Sequence, residues 1–554
     1  MGRATAVAAC FLWACTGDIA DSGPAVPPAP PIISGPSELP DDCVAETPPS
    51  PLRRLTSEEL RNTLEDLLGE PVFEAVDAVV RRFPGESIGG GDLEGFQAVH
   101  VEPHVSAMLD IGEAVADAVL ANAEAVDGAA CIASGARTCA RAFIETWAPR
   151  VHRRPVDAIR LDRYADAFAS EADARDGFRL LWMMLLSNPE FLFHIELDGN
   201  EDGLVLQLDS YAVANRLSYR VLRTMPSAEL FELAAADALQ TDAELEAALD
   251  SLLAHPRARD SVWRFFEQWL ELDEALAVSS DRTLLDGLDA DGLEHALYED
   301  VRGFVETLFW DQDADVERLF TSPLVASDDP RVRALYGLGP GAGRSGAERA
   351  GVLLRPALLQ ASTLATSPIG RGVFVLRRYL CDELPSPDLD TVNNRLSELE
   401  ELDRSTMRSR DIIQAMTGDS PCSTCHGRIN PIAFALEDFD PLGRHRSEEV
   451  AIEGGEIVGT FPFEPAGSQL SIDRETVTVD RGAELSRALG ASRQVQHCFV
   501  DRLTVHTQGR VTGDADACDL SQRTSASLEG LSMHALFRSS VLAEIRGRAL
   551  ETQP

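Results

Sequence analysis

Positive charge is scarce in this chain, and none of it comes from lysine: all 49 basic side chains are arginine, set against 91 acidic ones, for a formal net charge of −42. So acidic a chain repels phosphate backbones, which excludes nucleic acid as a partner and favours solubility. Arginine-only usage suits carboxylate pairing and equally fits a G+C-rich genome. Long apolar runs are missing as well. After the first fifteen residues nothing approaches the roughly 18 apolar residues of a membrane helix; the longest run, Leu180 to Leu186, reads as a helix buried within a domain. There is no serine-centred elbow, no HExxH helix and no phosphate-binding loop, so the best-marked hydrolase and nucleotide-binding signatures drop out. No fixed-period repeat occurs either.

What the chain does have begins at its N-terminus. Arg3 precedes a short apolar stretch, Ala4 to Ala14, with the shape of an export signal. Its end, Leu12-Trp13-Ala14-Cys15, resembles a bacterial lipobox, with Cys15 as the lipidated residue and Trp13 as a bulky departure. Residues 1–15 are therefore expected to act as signal and lipobox, and the mature protein to be a periplasmic, outer-membrane or cell-surface lipoprotein touching the membrane through its anchor alone. Residues 16–50, rich in Pro, Gly, Ser and Asp, cannot bury enough apolar surface to fold and read as a disordered linker.

Cysteine usage agrees with export. Cys422-Ser423-Thr424-Cys425-His426 has the spacing of covalent haem c attachment, in which two thiols add to the vinyl groups and the histidine ligates iron. Zinc would need a second ligand pair at matched spacing, and none is nearby. Cys422, Cys425 and His426 are thus the expected cofactor-binding residues, with His426 the proximal ligand to haem iron. Its other ring nitrogen needs an acceptor, for which a backbone carbonyl near Asn430-Pro431 stands closest in sequence. Arg428, Arg444 and Arg446 are candidates for the haem propionates. Six further cysteines invite disulfides; sequence proximity favours Cys131 with Cys139 and Cys498 with Cys518, leaving Cys43 with Cys381.

Most of the remainder has a helical period. Thr56 and Glu59 form a capping box ahead of Leu60, Leu64 and Leu67. Val105, Met108, Val115 and Val119 make a second stripe, and Val262, Phe265, Phe266, Trp269 and Leu270 a third, read as core. Strand signals concentrate at Glu456 to Phe461 and Glu475 to Val479. Asp198, Asn200, Asp202 and Asp209 match much of a calcium-binding loop, although Asp stands where a bidentate Glu is usual. Gly341 to Gly346 fits a dinucleotide fingerprint by letters only. Glu437 and Asp440, in the ALEDFD phrase beside the haem segment, are the first carboxylates to consider as an acid–base pair, with capping and local ion pairing the favoured role.

Several longer phrases carry a resemblance. PLRRLTSEELRNTLEDLLG (Pro51 to Gly69), HRRPVDAIRLDRYADAF (His152 to Phe168), LDSYAVANRLSYRVL (Leu208 to Leu222), RAGVLLRPALLQASTLATSPIGRG (Arg349 to Gly372), CHGRINPIAFALEDFDPLGRHR (Cys425 to Arg446) and QVQHCFVDRLTVHTQGR (Gln494 to Arg510) occur in the order of one exported family. The chain resembles the large planctomycete and myxobacterial multidomain proteins of unknown function that contain a planctomycete-type cytochrome c segment. That resemblance implies a haem-binding segment without implying a substrate. It also directs attention to Met416, where relatives often carry His, as a distal iron ligand; Met407, His445, Met533, His497 and His506 are alternatives, since Ile429 stands where many relatives have Met.

The expected fold is mainly α: a multidomain helical protein with a cytochrome c-like haem segment and a small β insertion near the C-terminus. The expected divisions are helical domains at 51–140, 141–200 and 205–335, the haem segment at 345–450, a small β region at 451–482 and a C-terminal helical domain at 483–554. The expected function is electron transfer through one haem to an unidentified redox partner. The alternatives are a haem-dependent oxidative or peroxidase-like enzyme and a non-redox surface-binding or scaffold lipoprotein.

Overall fold

The computed structural model describes residues 39, 43–48, 50–85, 102–196, 199–202, 205–272, 282–285, 287–341, 343–361, 363, 365–385, 387–399, 406–453 and 456–549. The signal, Cys15 and most of the linker lie outside them. The chain is mainly α-helical, and it divides into two compact units.

The amino-terminal unit holds the described residues of Ala45–Val262, Thr504–Asp516 and Arg538–Pro554. Its first helix, Ser57–Leu68, starts where the capping box places it: the Glu59 amide donates to Thr56 Oγ1 and the Thr56 amide donates to Glu59. Leu60, Leu64 and Leu67 are buried. Helix Glu102–Ala121 buries Met108, Val115 and Val119, but Val105, in its first turn, is exposed where the apolar stripe runs off the packed face. This helix packs against Ala174–Leu186, and Gly112 is what lets it approach: a Cβ there would sit 2.8 Å from the Met183 backbone. Phe143, Trp147, Phe178 and Trp182 fill the interior with edge-on and stacked rings.

One prediction for this unit changes form. Gly199–Asp202 and Val205–Leu208 pair as an antiparallel hairpin, joined by Gly547–Ala549, where the sequence reads as a solvated acidic loop with calcium binding as its alternative. Asp209 caps helix Ser210–Leu222 and pairs with Arg154 at 2.6 Å, so it does not close a loop. Asp198 lies outside the described residues; Asn200 is an exposed strand residue, and Asp202 falls in the same strand.

The second unit holds the described residues of Met1–Val44, Trp263–Leu503 and Ala517–Phe537, including the CxxCH motif. Phe265, Phe266, Trp269, Tyr379 and Phe499 form its aromatic core. The expected β insertion is present as two separate antiparallel pairs, Glu448–Glu453 with Glu456–Pro462 and Ser468–Ile472 with Glu475–Val479.

Disulfides join Cys131 to Cys139, Cys43 to Cys518 and Cys381 to Cys498. The first pair is the expected one; the other two exchange partners relative to expectation. Nearness in sequence lowers the entropy of closing a loop, but bonding needs the Cα atoms within about 7 Å. Cys498 and Cys518 lie on different helices, and each meets a cysteine brought to it from far along the chain.

Arginine in this protein is largely an internal clamp for backbone. Arg371 donates to the carbonyls of Leu359, Leu436, Phe439 and Asp440 at 2.6–3.0 Å. Arg349 donates to those of Leu335, Leu354 and Gly443. In the amino-terminal unit Arg153 does the same for Glu190, Phe191 and Phe193. A planar five-donor fork meets several orphan carbonyls over a wide span, where an ammonium group offers three donors from a single nitrogen.

Candidate functional site

The CxxCH motif lies where a tight turn enters helix Ser423–Ala435, with Cys422 as its cap. Cys422 and Cys425 are both free thiols and both half-buried. Three faces of this helix meet three different surroundings, as its 3.6-residue period dictates.

The first face carries His426 and, one turn on, Asn430. His426 Nδ1 lies 3.0 Å from Asn430 Oδ1. Asn430 Nδ2 donates to Thr417 Oγ1 at 2.9 Å, and the Thr417 hydroxyl donates to the Ile413 carbonyl at 2.6 Å. The direction of this chain is determined by its far end. Thr417 has one hydrogen, given to Ile413, so it can only accept from Asn430; the amide NH2 therefore faces Thr417 and its oxygen faces the imidazole. Nδ1 must then carry the proton, and Nε2 is left with its lone pair. Among the described residues Nε2 has no hydrogen-bond partner. Burial lowers the His426 pKa, partly opposed by the Asn430 bond, so the ring is held neutral near pH 7. A neutral imidazole with a bare Nε2 is the form that ligates a metal. The acceptor is thus the Asn430 side chain and not a backbone carbonyl, although the segment is the expected one.

The second face carries Ile429 and Ala433 and packs on helix Pro368–Phe374. Gly372 permits the contact, since a Cβ there would lie 2.7 Å from the Ile429 carbonyl. The third face, with Gly427, Arg428, Pro431 and Ile432, forms one wall of a cavity of about 690 Å³. Neither cysteine nor His426 lines that cavity.

Met416 is buried in helix Ser409–Thr417, beside Thr417. Its helix therefore joins the imidazole through the Nδ1 edge, the side turned away from a metal on Nε2. His497 shares its Nδ1 with Thr524 Oγ1 at 3.1 Å, and Met533 is fully buried. His445 stacks edge-on with Phe439, and Met407 is half-buried. His506 falls in the amino-terminal unit.

The arginines nominated for propionates all have protein partners. Arg428 pairs with Asp382, Arg444 with Asp440 and the Leu284 carbonyl, and Arg446 with the Glu437 carboxylate at 2.9 Å. Glu437 also meets Arg371, and Asp440 accepts the Leu442 and Arg444 amides, so these carboxylates take the capping and pairing role. Between them, Asp438 is fully buried; its Oδ1 accepts the Gly482 amide and its Oδ2 has no hydrogen-bond partner. Burial pushes its pKa up to about 7.

Sequence reasoning missed the Thr417–Asn430–His426 chain. The available signal was the i, i+4 spacing of His426 and Asn430, which has meaning only once the segment is helical through Pro431.

Three family profiles match the chain, together covering just over half of it. They are PSD5, protein of unknown function (DUF1595), over residues 139–196; PSD4, protein of unknown function (DUF1592), over residues 208–338; and PSCyt3, protein of unknown function (DUF1588), over residues 349–449. No curated protein and no solved structure matches.

Proposed function

Since the chain belongs to the planctomycete-type family of multidomain proteins built from these domains of unknown function, we propose that it is an exported redox protein whose PSCyt3 segment carries one covalent haem c and passes electrons to a partner. One observation carries this reading: the directed hydrogen-bond chain from Ile413 through Thr417 and Asn430 leaves Nε2 of His426 bare, next to two free thiols at haem c spacing. The domain's cytochrome-like name supports it.

The residues fit the group. Cys422 and Cys425 would hold it by thioethers and His426 would ligate its iron through Nε2. When bound, the haem supplies a one-electron couple. The protein's share is to hold the imidazole in one tautomer and orientation, with Asn430 accepting from Nδ1 and raising the basicity of Nε2. Export and a lipid anchor at Cys15 belong to the same proposal, because haem c attachment and disulfides are products of an oxidising compartment.

A second reading, a haem enzyme acting on a small molecule, is favoured by the position of Met416. Its helix reaches His426 on the Nδ1 side, through Thr417 and Asn430, so Met416 is poorly placed to serve as a second ligand to a metal that Nε2 would hold. A vacant sixth position would admit a substrate.

The deciding experiment is to produce the full chain in a host with haem-ligation machinery and to record its pyridine haemochrome spectrum. A thioether-type spectrum, lost in Cys422→Ala/Cys425→Ala, is expected. No such spectrum would sink both redox readings and leave a binding or scaffold protein. Slow or absent binding of cyanide would separate electron transfer from small-molecule chemistry.

A further inference from the structure

The cavity on the third face of the motif helix is built differently from the His426 face. At about 690 Å³ it falls within the range of small-molecule sites. Its walls bring together the motif helix, the π-helical turn Val375–Tyr379 with the residues that follow it, the hairpin Ser468–Val479 and the start of helix Arg493–Gln508. The disulfide Cys381–Cys498 ties two of these walls together, because Cys381 follows Leu380 and Cys498 lies little more than a turn beyond Arg493. A cavity stapled in this way needs little ordering when a ligand enters.

Its charge runs against that of the protein. Arg428, Arg474 and Arg493 line it together with Asp382 and Asp473, and both aspartates bond to neighbours within the same wall. Asp473 accepts the amides of Arg493 and Gln494 at 2.9 and 2.7 Å and the Ser492 hydroxyl at 3.0 Å. Asp382 pairs with Arg428. Arg493 stands apart: no carboxylate among the described residues pairs with it, and its Nε is buried without a hydrogen-bond partner. An unpaired guanidinium that lines a cavity is free to meet a carboxylate brought in by a ligand. Leu380, Ile432 and Leu470 supply apolar surface in the same cavity.

From this juxtaposition we infer that the cavity binds a small organic anion, a carboxylate on an apolar body, with its headgroup on Arg493 and its body against Leu380, Ile432 and Leu470. A planar carboxylate matches the guanidinium fork in a bidentate manner. The inference goes beyond the haem reading and stands without it, because the lining residues occupy the helix face away from His426 and Asn430.

The test is calorimetric titration of the full chain with octanoate, with octanol and inorganic phosphate as controls, on protein made with and without haem-ligation machinery. Octanoate should bind at one saturable site in both preparations, and octanol and phosphate should bind far more weakly. Arg493→Met should weaken octanoate binding by about tenfold or more, the expected loss for a charge-assisted bond, without lowering the melting temperature. Thr476→Trp, which fills the cavity from an exposed strand position, should abolish binding, and it decides the matter alone if Arg493→Met does not fold. Absence of octanoate binding, equal binding of octanol, or unchanged binding in both variants overturns the inference. Loss of binding only in the haem-loaded preparation would give the cavity to the haem, overturning the inference while the haem reading stands. Octanoate binding by a chain that takes no haem would do the reverse.

Discussion

Asn430 Oδ1 lies 3.0 Å from His426 Nδ1, and the amide that presents this oxygen is oriented by Thr417. The contact determines which imidazole nitrogen is bare. Asn430→Leu keeps the helix and the size of the side chain but removes the acceptor. Its expected effect is a weaker imidazole ligand: haem would be retained through the cysteines, while His426 would be protonated and lost from the metal about one to two pH units higher than in the native protein, the equivalent of a 10–100-fold loss of affinity. Asn430→Asp, which keeps an acceptor, should lose the ligand at a pH no higher than the native chain does. Spectroscopic titration of the three proteins reads the difference.

Arg371 gathers four carbonyls and meets Glu437, tying the segment that follows the motif helix (Leu436, Glu437, Phe439 and Asp440) to Leu359. Burial pushes its pKa down to about 10, so it stays charged at neutral pH. Arg371→Met should destabilise the native state by about 3–5 kcal/mol, because Glu437 and the carbonyls lose a buried partner together. Arg371→Lys should recover only part of this, since one ammonium cannot reach all four oxygens. Denaturant unfolding of the variants side by side checks both statements.

How much of this was legible in the sequence depended on distance along the chain. The Thr56–Glu59 box, the Leu60, Leu64 and Leu67 stripe and the aromatic run Phe265 to Trp269 depend on neighbours within two turns, and periodicity exposes them directly. The strand at Glu475–Val479 was likewise visible in its β-branched alternation. Cys381 and Cys498 were not pairable by inspection, because their meeting depends on packing across 117 residues. The cavity draws its walls from residues spread between Leu376 and Gln494 and leaves no local signature. The acidic string before Asp209 reads as a loop, yet Val205 to Leu208 alternates and pairs with Gly199–Asp202 as a hairpin, a partnership that only the folded backbone displays.

The Cys381–Cys498 bridge should matter to stability as well as to the cavity wall. Replacing both cysteines by serine should cost about 2–5 kcal/mol. Thermal unfolding of the double variant against the native protein measures it, and a shift confined to the second unit should appear as a split transition.

Asp438 gives that unit a pH slope of unusual sign. Its folded pKa of about 7 lies above the ordinary value of 3.8, so between those limits the native state holds a proton that the unfolded chain has lost. Stability from this group is therefore full below about pH 4, falls as pH rises towards 7 and then levels off. Asp438→Asn should flatten this slope and make the protein more stable at pH 8 than the native chain, by roughly 2–4 kcal/mol. Denaturant midpoints at pH 5, 6, 7 and 8 decide it; an unchanged slope would count against a protonated Asp438.

The Cys43–Cys518 bridge joins residues 475 apart in the chain, both within the second unit. Its mechanical consequence concerns how the molecule bears load. A pull on the chain ahead of Cys43 is delivered through sulfur to helix Ala517–Leu528, and helix Ser57–Leu68, next in sequence, is spared it. Were the N-terminus tethered to a moving surface, the bond would act as a strain relief, and the fold would hang from near its C-terminal end.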